Sequence, residues 1–129
     1  STQHLRKDFK NHIDILIEAI QRASNVGAIQ PNIQTISDYF EKTIQEKIRL
    51  LESDFHDKIL MGDYLHSVTE SFDDLERLMR TSKTLTDSLK GNNKEELLVN
   101  VKEHHKKTLV PLLNILSKLE NDYIAITSN

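Results

Sequence analysis

Six histidines and 20 acidic side chains carry most of the chemistry open to this chain of 129 residues, because it contains no cysteine. Without thiols there is no disulfide framework, no thiolate nucleophile, no Cys-ligated zinc or iron–sulfur cluster and no c-type haem attachment. A metal would have to be held by imidazole and carboxylate, which favours iron, zinc, manganese or a similar first-row ion. No serine-centred nucleophile elbow, phosphate-binding glycine loop, dinucleotide fingerprint or His-Glu-x-x-His occurs. The Glu-x-x-His spacing that lets one helix face supply two ligands is also missing, since Glu52 to His56 is one residue too long.

The polar residues that fall on or beside apolar helix faces at one expected level are His12, Thr43, Lys47, Glu76, His104, His105 and Thr108. His105 is expected to be the most inward histidine, between Val101 and Leu112, with His12 about one residue-step off the Phe9–Leu16 line. His4, His56 and His66 point away from their stripes. One reading is a mid-bundle metal or small-ligand site made by His12, Glu76 and His105, with His104 or Glu46 as further donors. The other is that these histidines are boundary or satisfied core residues and that the threonines bond back to their own helices. Adjacent residues diverge by about 100° on a helix, so His104 and His105 are poorly placed to ligate one ion together.

Four segments with helical periodicity must position these groups, at about 3–25, 33–60, 64–89 and 94–126. Their punctuation is chemical: Asn25-Val26-Gly27 followed by Pro31-Asn32, then Gly62-Asp63, then Gly91-Asn92-Asn93. All three glycines fall in these breaks, and Glu95 and Glu96 sit in a first turn where the helix dipole favours negative charge. Leu5, Phe9, Ile13, Leu16, Ile20 and Ala23 share one face of the first helix. The second has Ile36, Phe40, Ile44, Leu51 and Phe55, the third Val68, Phe72, Leu75, Met79 and Leu89, and the fourth Val101, Leu112, Ile115 and Leu119. One-sided helices joined by short links predict a single all-α domain over 1–129, an up-down-up-down antiparallel four-helix bundle. Pro111 falls inside the fourth helix and predicts a kink near Lys107–Pro111.

Composition excludes several function classes. With 37% hydrophobic and 29% charged residues and few turn formers, no β-sandwich or α/β pattern is visible. A net charge of -3 and a pI near 6.0 give no basic stripe for nucleic acid. No run approaches the roughly 18–20 apolar residues of a membrane span, and Ser1–Lys10 is too polar for a secretory signal. A cytoplasmic location is the expectation, with no membrane and no nucleic-acid partner.

Three short motifs resemble hemerythrin-type domains, helical bundles that hold two irons with histidines and carboxylates. Leu5-Arg6-Lys7-Asp8-Phe9 resembles the opening-helix L-R-x-[DE]-H. Ser71-Phe72-x-x-Leu75-x-x-Leu78 is similar to the third-helix [DE]-H-x-x-L-x-x-L, and His105-Lys106-x-x-Leu109-Val110-Pro111-Leu112 to the fourth-helix E-E-x-x-L-F-P-L. The departures fall where the resemblance implies ligands: Phe9 and Phe72 replace the first- and third-helix histidines, Val101 replaces that of the fourth, and His105 stands in for a bridging carboxylate. For the second-helix His-x-x-x-Glu, the region Phe40–Lys47 offers Thr43, Glu46 and Lys47. Phenylalanine cannot ligate iron and its bulk fills the volume two irons need.

The resemblance therefore implies a hemerythrin-like shell whose di-iron site has become hydrophobic core. The expected function is non-enzymatic, a regulatory or protein-interaction module with no cofactor. The alternative is a sensor that keeps a remnant iron, zinc or small-ligand site at His12, Glu76 and His105. A protein partner or a second copy is the expected binding class, and Ile15, Ile17 and Leu50, lying off their stripes, are the candidate contact residues.

Overall fold

The computed structural model describes residues 1–88 and 93–128, and of 82–88 the backbone alone. Helix α1 spans Thr2–Arg22, α2 Gln30–Asp54, α3 Leu65–Ser88, α4 Lys94–His104 and α5 Val110–Thr127. A π-helical turn, His105–Leu109, joins α4 to α5 without leaving helical backbone angles, so the two form the fourth rod of an all-α four-helix bundle. Side-chain contacts order the rods. Arg6 of α1 donates to Asn114 Oδ1 at 2.9 Å and Lys94 to the Gln21 carbonyl at 3.3 Å, so α1 runs antiparallel to the fourth rod. Phe9 meets Phe40, and Phe55 meets Phe72, which makes the sequential neighbours antiparallel as well.

The apolar stripes are where the core lies. Phe9, Ile13, Leu16 and Ile20 of α1, Phe40, Ile44 and Leu51 of α2 and Val68 and Leu75 of α3 are buried, with Phe55 just past the end of α2. The fourth rod contributes Leu97, Val101, Leu109, Leu112, Leu113, Leu116 and Leu119. Two adjacent pairs there, Thr108–Leu109 and Leu112–Leu113, are buried together because α5 packs against α1, α2 and α3 at once. Leu89, expected on the third stripe, and Gly91 and Asn92 of the third break lie outside the described residues. Asn93 behaves as the break chemistry predicts: its Oδ1 accepts from the Glu96 N–H at 2.8 Å and caps α4.

The first two breaks differ from expectation. α1 stops at Arg22, and Asn25 caps a short 3-10 turn, Val26–Ala28, by accepting from the Ala28 N–H at 3.0 Å. α2 then begins earlier than predicted, with Pro31 in its first turn, where a missing N–H costs nothing. It also ends earlier, at Asp54, and the link onward is a 3-10 segment, Lys58–Tyr64, anchored by buried Met61. Within it Gly62 has φ 52° and ψ -125°, the positive-φ backbone that an L side chain resists. Nothing lies within 4 Å of a Cβ placed there, so the cost of Gly62→Ala is backbone strain alone. Urea denaturation of that variant is expected to show a loss of about 1–2 kcal/mol.

The predicted irregularity around Pro111 takes the form of the π turn. In a regular helix the proline ring would crowd the Lys107 carbonyl and leave it without a donor. Widening the turn relieves this, and the Val110 N–H reaches back to the His105 carbonyl. Among the described residues no helix is long and apolar enough to cross a membrane.

Candidate functional site

The seam between α1 and α2 brings Asp8, His12 and Tyr39 together. The Tyr39 hydroxyl donates to the Asp8 carboxylate, and the His12 ring stacks on Tyr39 with centroids 4.9 Å apart and planes 12° from parallel. His12 Nδ1 lies 3.0 Å from the Asp8 carbonyl and 3.6 Å from the Asp8 carboxylate. The helix geometry imposes this: Asp8 and His12 are one turn apart on α1, and Tyr39 precedes the core residue Phe40 on α2. Hydrogen bonding to Asp8, then burial and the Asp8 charge, push the Tyr39 hydroxyl above its usual range against a smaller opposing bond from Thr43. Tyr39 is thus a protonated donor held to a carboxylate, poorly suited to act as a base. Beside it, Tyr39, Thr43, Glu46 and Arg49 line a solvent-open recess of about 650 Å³, and Thr43 and Glu46 also border a smaller one with His4 and Leu50.

Tyr39 was not among the residues that spacing singled out. The level expected to join His12 with Thr43 and Lys47 lies one to two turns too far along α2, because α2 begins at Gln30 after the 3-10 turn at Val26–Ala28. The signal that could have found it is the Asp8–His12 pair, which needs a donor opposite.

His105 faces α1 at the level of Lys10 and Asp14. Burial, the largest influence, lowers its pKa, with Asp14 raising and Lys10 lowering it, so the ring is held neutral. Its Nδ1 and the Oγ1 of Thr108, a residue with no exposure, are buried without a hydrogen-bond partner among the described residues. Both belong to the π turn, whose wider winding carries the side chains away from the carbonyls one turn back that usually satisfy them. The expectation that His105 is the most inward histidine is corrected: His104 is the buried one, and it is engaged by a neighbour. His4, His56 and His66 are exposed, as expected.

Glu76 is not brought to this level. Lys118 Nζ donates to Ser67 Oγ at 2.7 Å and Ser71 Oγ at 3.1 Å, and Lys118 lies more than three turns beyond His105. On antiparallel α3 this puts Glu76 about one to two turns, ~6–12 Å, short of the His105 level. Its carboxylate is 70% exposed and pairs with Arg80 at 3.3 Å. The physical reason is the Lys58–Tyr64 segment, which replaces a tight turn and resets the axial position of α3. His12, Glu76 and His105 are therefore not assembled around one point. Among the described residues no group of three or more His, Asp or Glu side chains is placed to hold a metal ion. Glu46, the other carboxylate considered, is bound to Arg49 at 2.5 Å on the surface, which lowers its pKa.

Lys47 and Thr108 also separate. Lys47 reaches the end of the bundle, where its Nζ lies 2.7 Å from Glu120 Oε1. The same oxygen accepts from the Thr2 N–H at 3.1 Å and from the Thr2 hydroxyl. Ser1 makes no side-chain cap to α1, so a carboxylate from α5 takes that place at the positive end of the helix dipole.

Fold and site together define a four-helix protein with polar clusters at its seams. No family model, no curated protein and no solved structure matches the chain.

Proposed function

We propose that this chain is a hemerythrin-like bundle whose function is carried by its surface, as a regulatory or protein-interaction module and not as an enzyme. The observation that supports this reading best is the packing of the Phe9 ring. It has no exposure, and its centroid lies 4.3 Å from Phe40 and 6.2 Å from Tyr39. The position that the resemblance equates with an iron ligand is thus filled by buried aromatic packing. Phe72, the second such position, packs edge-on against Phe55 at 6.0 Å, in another part of the bundle.

Elemental analysis of purified protein tests the proposal. The expected result is iron and zinc far below one atom per chain. Stoichiometric metal that survives dialysis against a chelator would overturn it.

A second reading, a small-ligand sensor, has one observation in its favour: the unpartnered His105 Nδ1 and Thr108 Oγ1 at the π turn. Such turns recur at functional positions in helices. A ligand held there raises thermal stability by mass action, so melting curves with added Fe(II), Zn(II) or imidazole separate the two readings.

A further inference from the structure

One end of the bundle gathers half of the exposed large hydrophobic residues among those described. Of the eight exposed large hydrophobic residues among those described, Ile59, Leu60, Leu65 and Ile124 sit at this end. Ile59 is 90% and Leu60 70% exposed, on the 3-10 segment that links α2 to α3. That segment is a built turn. Asp57 Oδ1 accepts from the Ile59 N–H at 3.0 Å, Met61 is buried as an anchor, and Gly62 supplies the positive φ that turns the chain toward α3. With Met61 directed inward, its two predecessors are held outward. Leu60, Asp63, Tyr64 and Ile126 border a solvent-open recess of about 410 Å³ beside them.

The charge around this tip is lopsided. Residues 52–63 contain Glu52, Asp54, Asp57 and Asp63 against a single cation, Lys58. None of the five enters an ion pair among the described residues. Along the helix faces, by contrast, Glu18, Glu46, Asp74, Glu76, Glu103 and Asp122 are paired with a cation three or four residues away.

We infer that the Ile59–Leu60 tip docks a short segment of a partner protein that carries apolar side chains beside lysine or arginine. The inference rests on the reading of the chain as a protein-interaction module and gives that reading a place and a partner chemistry. Charge selects the occupant. A second copy would bring its own acidic rim against this one. An anionic lipid surface is repelled by the same carboxylates. A cationic amphipathic segment satisfies both features: its apolar side chains cover Ile59 and Leu60, and its cations meet carboxylates that enter no ion pair among the described residues.

The test uses the full chain and two labelled synthetic amphipathic helical peptides, one of leucine and lysine and one of leucine and glutamate, read by fluorescence anisotropy. The leucine–lysine peptide is expected to bind at least about tenfold more tightly than its glutamate counterpart. Ile59→Ser with Leu60→Ser is expected to weaken that binding about tenfold, and Asp63→Lys to weaken it several-fold and flatten its salt dependence. All three side chains are exposed or border the open recess, and Asp63→Lys probes the charge independently of the apolar pair. Equal binding by wild type and both variants would overturn the inference, as would equal binding of the two peptides. Self-association in sedimentation that Ile59→Ser/Leu60→Ser abolishes would assign the tip to a second copy. Co-sedimentation with phosphatidylcholine–phosphatidylserine vesicles, lost in the same variant, would assign it to lipid. Metal content measured on the same preparation keeps the two proposals apart: failed docking by metal-free protein removes the tip assignment and leaves the interaction-module reading standing.

Discussion

Phe9→Ala is expected to lower the unfolding free energy by about 3–5 kcal/mol, read as a shift of the urea midpoint with little change in slope. The ring is wholly buried and holds α1 against α2 through Phe40 and the edge of Tyr39. Removing it deletes both the transfer free energy of the ring and the contacts its neighbours make with it, and the flanking helices relax only partly into the space. Domains of this size have about 5–15 kcal/mol in total, so the loss is a large fraction of stability. Phe72→Ala serves as the internal comparison. Its ring is only half-buried, so a smaller loss is expected there. If Phe9 and Phe72 proved equally tolerant of truncation, the first-helix position would not be the packed core on which the proposed function rests.

Glu120→Ala is expected to cost about 1–3 kcal/mol at neutral pH. One carboxylate oxygen accepts from the Lys47 ammonium and from both the N–H and hydroxyl of Thr2, so its loss leaves three donors without their acceptor. Lys47 is 23% and Glu120 25% exposed, which limits screening by solvent. The pH dependence identifies the interaction. Burial raises the Glu120 pKa, but the Lys47 and Thr2 hydrogen bonds and the Lys47 charge outweigh it and hold the net value below glutamate's ordinary one. The folded state therefore binds the proton less readily than the unfolded chain. Stability from this source is present above glutamate's ordinary pKa and is lost as pH falls through the lower, folded value. The gap between wild type and Glu120→Ala should narrow over that acidic range. A gap that stays constant down to the acid transition would mean the residue acts through packing alone.

Much of the fold was legible from residue types. The stripe Phe9-Ile13-Leu16-Ile20 and the Asn93 cap are where periodicity and cap chemistry put them. Pro111 was a correct sign of irregularity, which the structure realises as a π turn before the proline. The candidate site was less legible. Of the off-stripe residues read as contact candidates, Ile15 and Leu50 are exposed, while Ile17 packs against the core, and the apolar tip at Ile59–Leu60 was absorbed into an over-long second helix. Isolated helical periodicity gave no reason to end that helix at Asp54, because Phe55, Ile59 and Leu60 continue a plausible apolar pattern.

By itself the amino-acid sequence determined an all-α chain of four helical rods and, for the first three, the face each one buries. A face is an angular property, and the 3.6-residue repeat specifies an angle from local residues alone. Only the tertiary structure decided which residues meet along the axis, because sliding a helix by a turn leaves its face unchanged while replacing every cross-helix neighbour. That is why His12 finds Tyr39, why Glu76 pairs with Arg80 at the surface and not with His105, and why Glu120 caps a helix far from it in sequence. The π turn adds a residue to the winding and so changes the angle as well, turning His104 into the core where the periodic reading had placed His105.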